Sequence, residues 1–95
     1  MIKVVAKFEV KPDKIEEFKK ITEEMIEKTR QEAGNNSYAL YQGTNNPQIL
    51  TFIEEWEDHE ALNKHMEKDY LKNNLPELEK IATTEPEVST YKLVK

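Results

Sequence analysis

The stretch ILTFIEEWEDHEALNKH, residues 49–65, decides how this chain folds and where its chemistry can lie. Its first half is β-like and ends at Trp56, and Asp58 then stands where it can cap a helix that carries His65. A strand end, an indole, a helix start and a histidine therefore fall within one short segment. No other part of the sequence brings so many chemically capable groups together.

Upstream of this stretch, the pattern predicts a strand and a long helix. Apolar residues alternate with lysine and glutamate over Ile2–Val10, which is typical of a strand with one buried face. After Pro12, apolar residues recur at helical spacing to about Ala33, and Gly34 suits the C-terminal end of that helix.

The remaining elements complete a β-α-β-β-α-β order. Strands are expected over Ser37–Gln42 and Gln48–Glu57, with a turn cluster between them that favours an antiparallel hairpin. Pro76 is predicted to begin a further short helix, although one kinked helix also fits, and Val88–Val94 reads as a last strand. We therefore predict an α+β, ferredoxin-like fold with a four-stranded antiparallel sheet, formed as a single domain by residues 1–95.

Composition and charge exclude several classes of function. The net charge is −5 and no lysine or arginine cluster stands free of acidic neighbours, so a nucleic-acid-binding face is not expected. No segment approaches the about 20 apolar residues of a membrane span, and the charged N-terminus lacks the apolar core of a signal peptide. With no cysteine in the chain, we expect a cytoplasmic protein that is not bound to a membrane.

The apolar pattern also predicts a homodimer. Only 37% of residues are apolar, so the core must be thin. The strands nevertheless present apolar groups on both faces, as Val5 does against Phe8 and Ile53 against Phe52. A second copy stacked on the face without helices would explain this arrangement.

His65 and Glu54 are the first candidates for chemistry. His65 lies on the apolar side of its helix, where it could act as a base near neutral pH or simply pack against a backbone carbonyl. Glu54 and Trp56 are two apart on a strand and share a face, so a desolvated Glu54 could do acid-base work. Alternatively, Glu54 forms an ion pair at a dimer interface or lies at an exposed edge.

Tyrosines are the candidate ligand-binding groups. Tyr38 and Tyr70 carry hydroxyls on apolar bodies and can orient phenolic ligands, although such side chains also fill cores. A metal pair is not expected, because His59 and His65 are six apart and lie on nearly opposite helix faces. Glycine-rich phosphate loops and cysteine nucleophiles are absent from the sequence.

Across nearly its whole length the chain resembles the antibiotic biosynthesis monooxygenase family, and in particular its quinol-monooxygenase-like members. Two motifs carry the resemblance: Ser37-Tyr38-x-Leu40-Tyr41, and Glu54-x-Trp56-x-Asp58-x-x-Ala61-Leu62-x-x-His65. Many quinol-type members have a second histidine followed by phenylalanine, where this chain has Tyr70 and Leu71. The asparagine, tryptophan and histidine of haem-degrading members have no counterparts here.

The resemblance implies a ferredoxin-like protomer that dimerises into an α+β barrel, with a pocket between sheet and helices. It implies oxidation of a small aromatic quinol or phenol by dioxygen with no metal, flavin or other cofactor. His65 would be the catalytic base, and Trp56, Tyr70, Tyr38 and Glu54 would bind the substrate. Two alternatives remain open: a cofactor-free isomerase of a small carbonyl metabolite, and a non-catalytic dimeric module that binds a small aromatic molecule.

Overall fold

The predicted order of strands and helices is confirmed in the computed structural model, which describes all residues 1–95. A short 3-10 turn at Pro12–Lys14 is the one addition. Of the two arrangements predicted after the third strand, the structure has the two separate helices and not one kinked helix. The elements are β1 (Ile2–Glu9), α1 (Ile15–Thr29), β2 (Asn35–Gln42), β3 (Ile49–Trp56), α2 (His59–Met66), α3 (Asp69–Lys80) and β4 (Glu87–Lys92).

The strands form one antiparallel sheet in the order β2-β3-β1-β4, which is the ferredoxin-like arrangement. The register places Val4 of β1 and Tyr38 of β2 on either side of Glu54 in β3. Side chains alternate between the two faces of a strand, so these three point toward the helices. The other face carries the pair Val5 and Ile53.

The three helices cover one face of the sheet. Phe18 and Met25 of α1 and Leu78 of α3 are fully buried against the strands, because each follows the apolar stripe of its helix. No helix combines the length and the apolar character needed to cross a bilayer. The core therefore lies between the helices and a single face of the sheet.

Helix α1 ends at Thr29, earlier than the predicted end near Ala33. The chain continues in tighter turns, in which the amide of Glu32 donates to the carbonyl of Thr29 at 3.0 Å. Gly34 then takes a φ of +85°, and a Cβ there would lie 2.5 Å from the Cβ of Ala61. The turn after α1 therefore lies directly against α2.

The two other differences lie in the C-terminal part. Pro76 lies inside α3 instead of beginning it, because burial of Leu71 and Leu78 along one stripe outweighs the hydrogen bond that proline cannot donate. Strand β4 ends at Lys92 and not at Val94, because Lys92 pairs with Ile2, the first residue of β1, and no partner remains beyond it.

Candidate functional site

A cavity of about 280 Å³ lies between the sheet and helices α2 and α3. Its lining is mostly apolar. The sheet wall, contributed by the strands, consists of Val4, Ala6, Phe8, Tyr38, Phe52, Glu54, Val88 and Thr90. The helix wall, contributed by the helices, consists of Met25, Leu62, Asn63, His65, Met66, Leu71, Leu75 and Glu79. Because Val88 and Met66 are also exposed to solvent, the cavity opens between β4 and the end of α2.

Glu54 is the acidic group of the sheet wall. It is 6% exposed and its Oε1 accepts a hydrogen bond from Nε1 of Trp56 at 2.9 Å. Burial raises the pKa of Glu54 to about 7, although the Trp56 hydrogen bond opposes that shift. The carboxyl group can therefore exist in either protonation state near neutral pH.

The surroundings of Glu54 exclude one of its predicted settings, the exposed edge. Strand β3 lies between β2 and β1, so Glu54 is in the interior of the sheet and not at an exposed edge, and no ion pair joins it to a basic residue within the chain. Across β2, burial beside Glu54 raises the pKa of Tyr38 far above its usual value. Tyr38 therefore keeps its hydroxyl proton at any physiological pH.

His65 is the basic group of the helix wall. It is 2% exposed, its ring centroid is 4.6 Å from that of Trp56, and the Tyr38 ring lies at 5.7 Å. Burial lowers the pKa of His65, and the neighbouring Glu32 only partly offsets that effect. The imidazole is therefore neutral near pH 7 and able to accept a proton.

The orientation of the His65 ring is set by a carboxylate that sequence reasoning missed. Nδ1 of His65 lies 2.9 Å from Oε2 of Glu32, in place of the backbone carbonyl that the packing alternative requires. Nε2 of His65 has no hydrogen-bond partner. Because every fully buried side-chain nitrogen or oxygen does have one, Nε2 is not fully buried. Nε2 is therefore the ring nitrogen left open to the cavity.

Glu32 also receives the hydroxyl of Tyr70. The Tyr70 hydroxyl donates to the same Oε2 and lies 3.1 Å from Oγ1 of Thr29. Burial and the contact with Glu32 raise the pKa of Tyr70 to about 12. Tyr70 therefore belongs to a polar cluster with Glu32 and Thr29 behind His65, and it does not line the cavity.

The structure separates the predicted site residues into two groups. Tyr38, Glu54 and His65 line the cavity together. Trp56 and Tyr70 do not line it, and each instead hydrogen-bonds a carboxylate at the site, Trp56 that of Glu54 and Tyr70 that of Glu32. Their direct contact with a substrate stays a prediction.

The arrangement suits proton transfer in an apolar space. A neutral imidazole with one free nitrogen can accept a proton from an acidic hydroxyl group, and the Glu54 carboxyl group can supply one. No three histidine, aspartate or glutamate side chains converge as they would around a metal ion. What the site offers is an apolar space with two titratable groups in its lining.

Comparisons with known proteins agree with this fold. The sequence profile of the antibiotic biosynthesis monooxygenase family matches residues 1–74. A crystal structure of an antibiotic biosynthesis monooxygenase is similar at 30% identity over the full length of both chains, with a TM-score of 0.95.

Two relatives extend the comparison. A conserved protein from Methanosarcina mazei Go1 is 41% identical, with a TM-score of 0.94 over 96% of this chain and 90% of its own. An uncharacterised Synechocystis protein, sll1783, is 30% identical over 94 residues, or 99% of this chain. The chain spans 64% of the length of that cyanobacterial relative.

Proposed function

Because the chain belongs to the antibiotic biosynthesis monooxygenase family, we propose that it oxidises a small aromatic quinol or phenol with dioxygen and without a cofactor. One observation carries the proposal: a neutral His65, with Nε2 open to an apolar cavity that also holds the Glu54 carboxyl group. The volume of about 280 Å³ lies at the lower end for ligand pockets, which favours a ligand of one or two rings.

The reaction begins with a proton transfer. The substrate hydroxyl group gives its proton to Nε2 of His65, and the resulting anion is electron-rich enough to pass one electron to dioxygen. The substrate radical and superoxide then join at a ring carbon to form a carbon–oxygen bond. The cavity assists by holding the ring and excluding water while both groups are oriented.

The second half of the reaction breaks the oxygen–oxygen bond. The distal oxygen atom leaves as water with one proton from the His65 imidazolium and one from Glu54, and the proximal atom stays on the ring. As the oxygen–oxygen bond breaks, the ring carbon loses its C–H proton to the Glu54 carboxylate, which restores both groups. A 1,4-quinol and dioxygen thus become a hydroxyquinone and one water molecule. The substrate provides all four electrons, two from the hydroxyl pair and two from the ring C–H position.

The test is oxygen consumption with a panel of quinols and phenols. We expect the wild-type chain to consume oxygen with at least one of them, and His65→Gln to lower the rate by roughly 100-fold or more, because general-base assistance is lost. His59→Gln is the matched control, since His59 is the exposed histidine at the start of the same helix and should leave the rate unchanged. Equal rates in the wild type and His65→Gln would contradict the role of His65.

A binding module is the second candidate function. It is favoured by Tyr70, which stands where many quinol-type members have a second histidine but contacts Glu32 and does not line the cavity. Calorimetric binding of a quinol with no oxygen consumption would support it. Turnover that persists under strictly anaerobic conditions would instead indicate an isomerase.

We also propose that the protein is a homodimer through the sheet face that carries no helices. Val5 and Ile53 pair at the centre of this face, and Tyr41 and Tyr91 toward its margins are 56% and 55% exposed. Light scattering should therefore report twice the chain mass of 11.2 kDa. Ile53→Lys should shift the mass toward the monomer, whereas a monomeric wild type at micromolar concentration would refute the dimer.

A further inference from the structure

The Glu32 carboxylate touches the candidate base without touching the cavity. Its side chain is 7% exposed and that of His65 is 3% exposed, so the contact between them is shielded from solvent. Glu32 is absent from the cavity lining, and its only side-chain partners are His65 and Tyr70. A substrate in the cavity therefore meets His65 and does not meet Glu32.

We propose that Glu32 is the positioning residue of the His65 base: it holds the ring proton on Nδ1 and leaves the unprotonated Nε2 facing the cavity. This inference rests on the proposed function only for its effect on rate. A carboxylate oxygen 2.9 Å from Nδ1 accepts a hydrogen bond from that nitrogen, which fixes both the tautomer and the tilt of the ring. When Nε2 takes a proton, the same carboxylate stabilises the positive charge and takes no proton itself.

Three chain segments hold Glu32 in place. The tight turn after α1 fixes its backbone, since its amide donates to Thr29 and its carbonyl accepts from Asn35 at 3.2 Å. Gly34 allows this turn to approach α2. The Tyr70 hydroxyl from α3 then binds the oxygen that faces His65. The carboxylate is therefore already oriented in the absence of substrate, as a positioning group must be.

Other charged and titratable groups also face His65 from the elements packed around it. Tyr38 on β2 and Glu54 on β3 share the cavity with it, and Lys68 follows the end of α2. Lys68 disfavours a positive charge on the ring, whereas the Glu32 contact favours one. Glu32 is the only carboxylate bonded directly to the ring, so its removal should lower the pKa of His65 further.

The first experiment needs only the wild-type chain and no substrate. Nitrogen-15 NMR of the His65 ring at pH 7.5 should find the proton on Nδ1 and Nε2 unprotonated. A neutral ring with its proton on Nε2 would overturn the proposal, because the nitrogen facing the cavity could not then accept a proton.

The second experiment follows the pH dependence of kcat/KM in two variants. Glu32→Gln should lower the plateau roughly 10- to 100-fold and move the acid limb to lower pH, because the base becomes weaker. Tyr70→Phe removes a donor from the same carboxylate, strengthens its attraction for the imidazolium and should move the acid limb to higher pH. Glu27→Gln, at an exposed α1 position, should change neither.

The outcomes separate this inference from the proposed function. A structural role for Glu32 would lower the amount of active protein without moving the acid limb or changing the tautomer, and that result would overturn the positioning role. If Glu32→Gln does not fold, the direction of the Tyr70→Phe shift decides instead. If the wild type oxidises no quinol, the proposed function fails, while the tautomer in the wild type and in Glu32→Gln still tests the role of Glu32.

Discussion

The two walls of the cavity differ in the sequence separation of the contacts that hold their titratable groups. In the sheet wall the contact is local. Glu54 and Trp56 lie on one face of β3, and the hydrogen bond between them joins residues two apart in the sequence. In the helix wall the contact is long-range, because Glu32, which orients His65, lies 33 residues away in the sequence. The sheet wall is thus part of the core, whereas the helix wall depends on how three segments meet.

Glu54 and Glu32 also have different hydrogen-bond partners. Glu54 has an indole N–H and apolar neighbours, so burial dominates and raises its pKa. Glu32 has an imidazole and a phenol as partners, and its negative charge is directed at the ring that has to accept a proton. Glu54 can therefore donate a proton, whereas Glu32 favours the uptake of a proton by His65.

The largest expected effect concerns Trp56, the buried side chain that hydrogen-bonds Glu54 of the sheet wall. Trp56→Ala should lower the free energy of unfolding by about 3–5 kcal/mol, because Trp56 is fully buried and its removal leaves a cavity. Tyr70→Phe, on the helix side, should cost only about 1 kcal/mol. Urea denaturation measures both, and similar losses would contradict the contrast between the walls.

The second prediction tests how the helix wall is assembled. Gly34→Ala should cost about 2–4 kcal/mol, because its φ is +85° and the new Cβ would meet the Cβ of Ala61 at 2.5 Å. Adding Ala61→Gly removes the clash but not the backbone strain. The double variant should therefore be more stable than the sum of the single losses predicts. Strict additivity in denaturation would show that the two positions do not touch.

The third prediction concerns pH and Glu54. Its folded pKa of about 7 lies above the ordinary glutamate value of 4.5, so the folded state holds this proton more tightly than the unfolded state does. The stabilisation is complete below about pH 4.5 and is lost as the pH rises through 7. Relative to the wild type, Glu54→Gln should gain on the order of 1–3 kcal/mol between pH 5 and pH 8.

The control for this experiment is internal. His65 contributes in the opposite direction, because its lowered pKa makes stability rise with pH up to about 6.5, but it is present in both proteins and cancels in the difference. A constant difference between the two unfolding free energies across this range would show that Glu54 is not protonated in the fold at neutral pH.

The smallest expected effect lies at the start of α2. The Asp58 carboxylate accepts from the amide of Ala61 at 2.9 Å and caps the helix that carries His65. Asp58→Ala should cost about 1 kcal/mol and speed amide hydrogen exchange in the first turn of α2, whereas Asp58→Asn should keep most of the cap. Unchanged exchange in Asp58→Ala would mean that packing alone holds the helix start.

Part of the site could be predicted because it depends on local periodicity. A period of two places Glu54 and Trp56 on one side of a strand, and helical spacing places His65 on the apolar side of α2. Glu32 could not be predicted in this way. It lies in a polar stretch after the regular part of α1, where Gly34 predicted only the end of the helix; the close approach of Gly34 to Ala61 is seen in the structure alone.

The sequence by itself determined the order of the elements, the buried face of β1 and the histidine that faces the core, because each of these follows from the spacing of apolar residues along a few turns or strands. Only the tertiary structure decided that Glu32 and Tyr70 meet behind His65 and that the end of α1 is wound tightly enough to place them there. The physical reason is that a contact between distant segments depends on how whole elements pack, and a single sequence carries no local pattern for that.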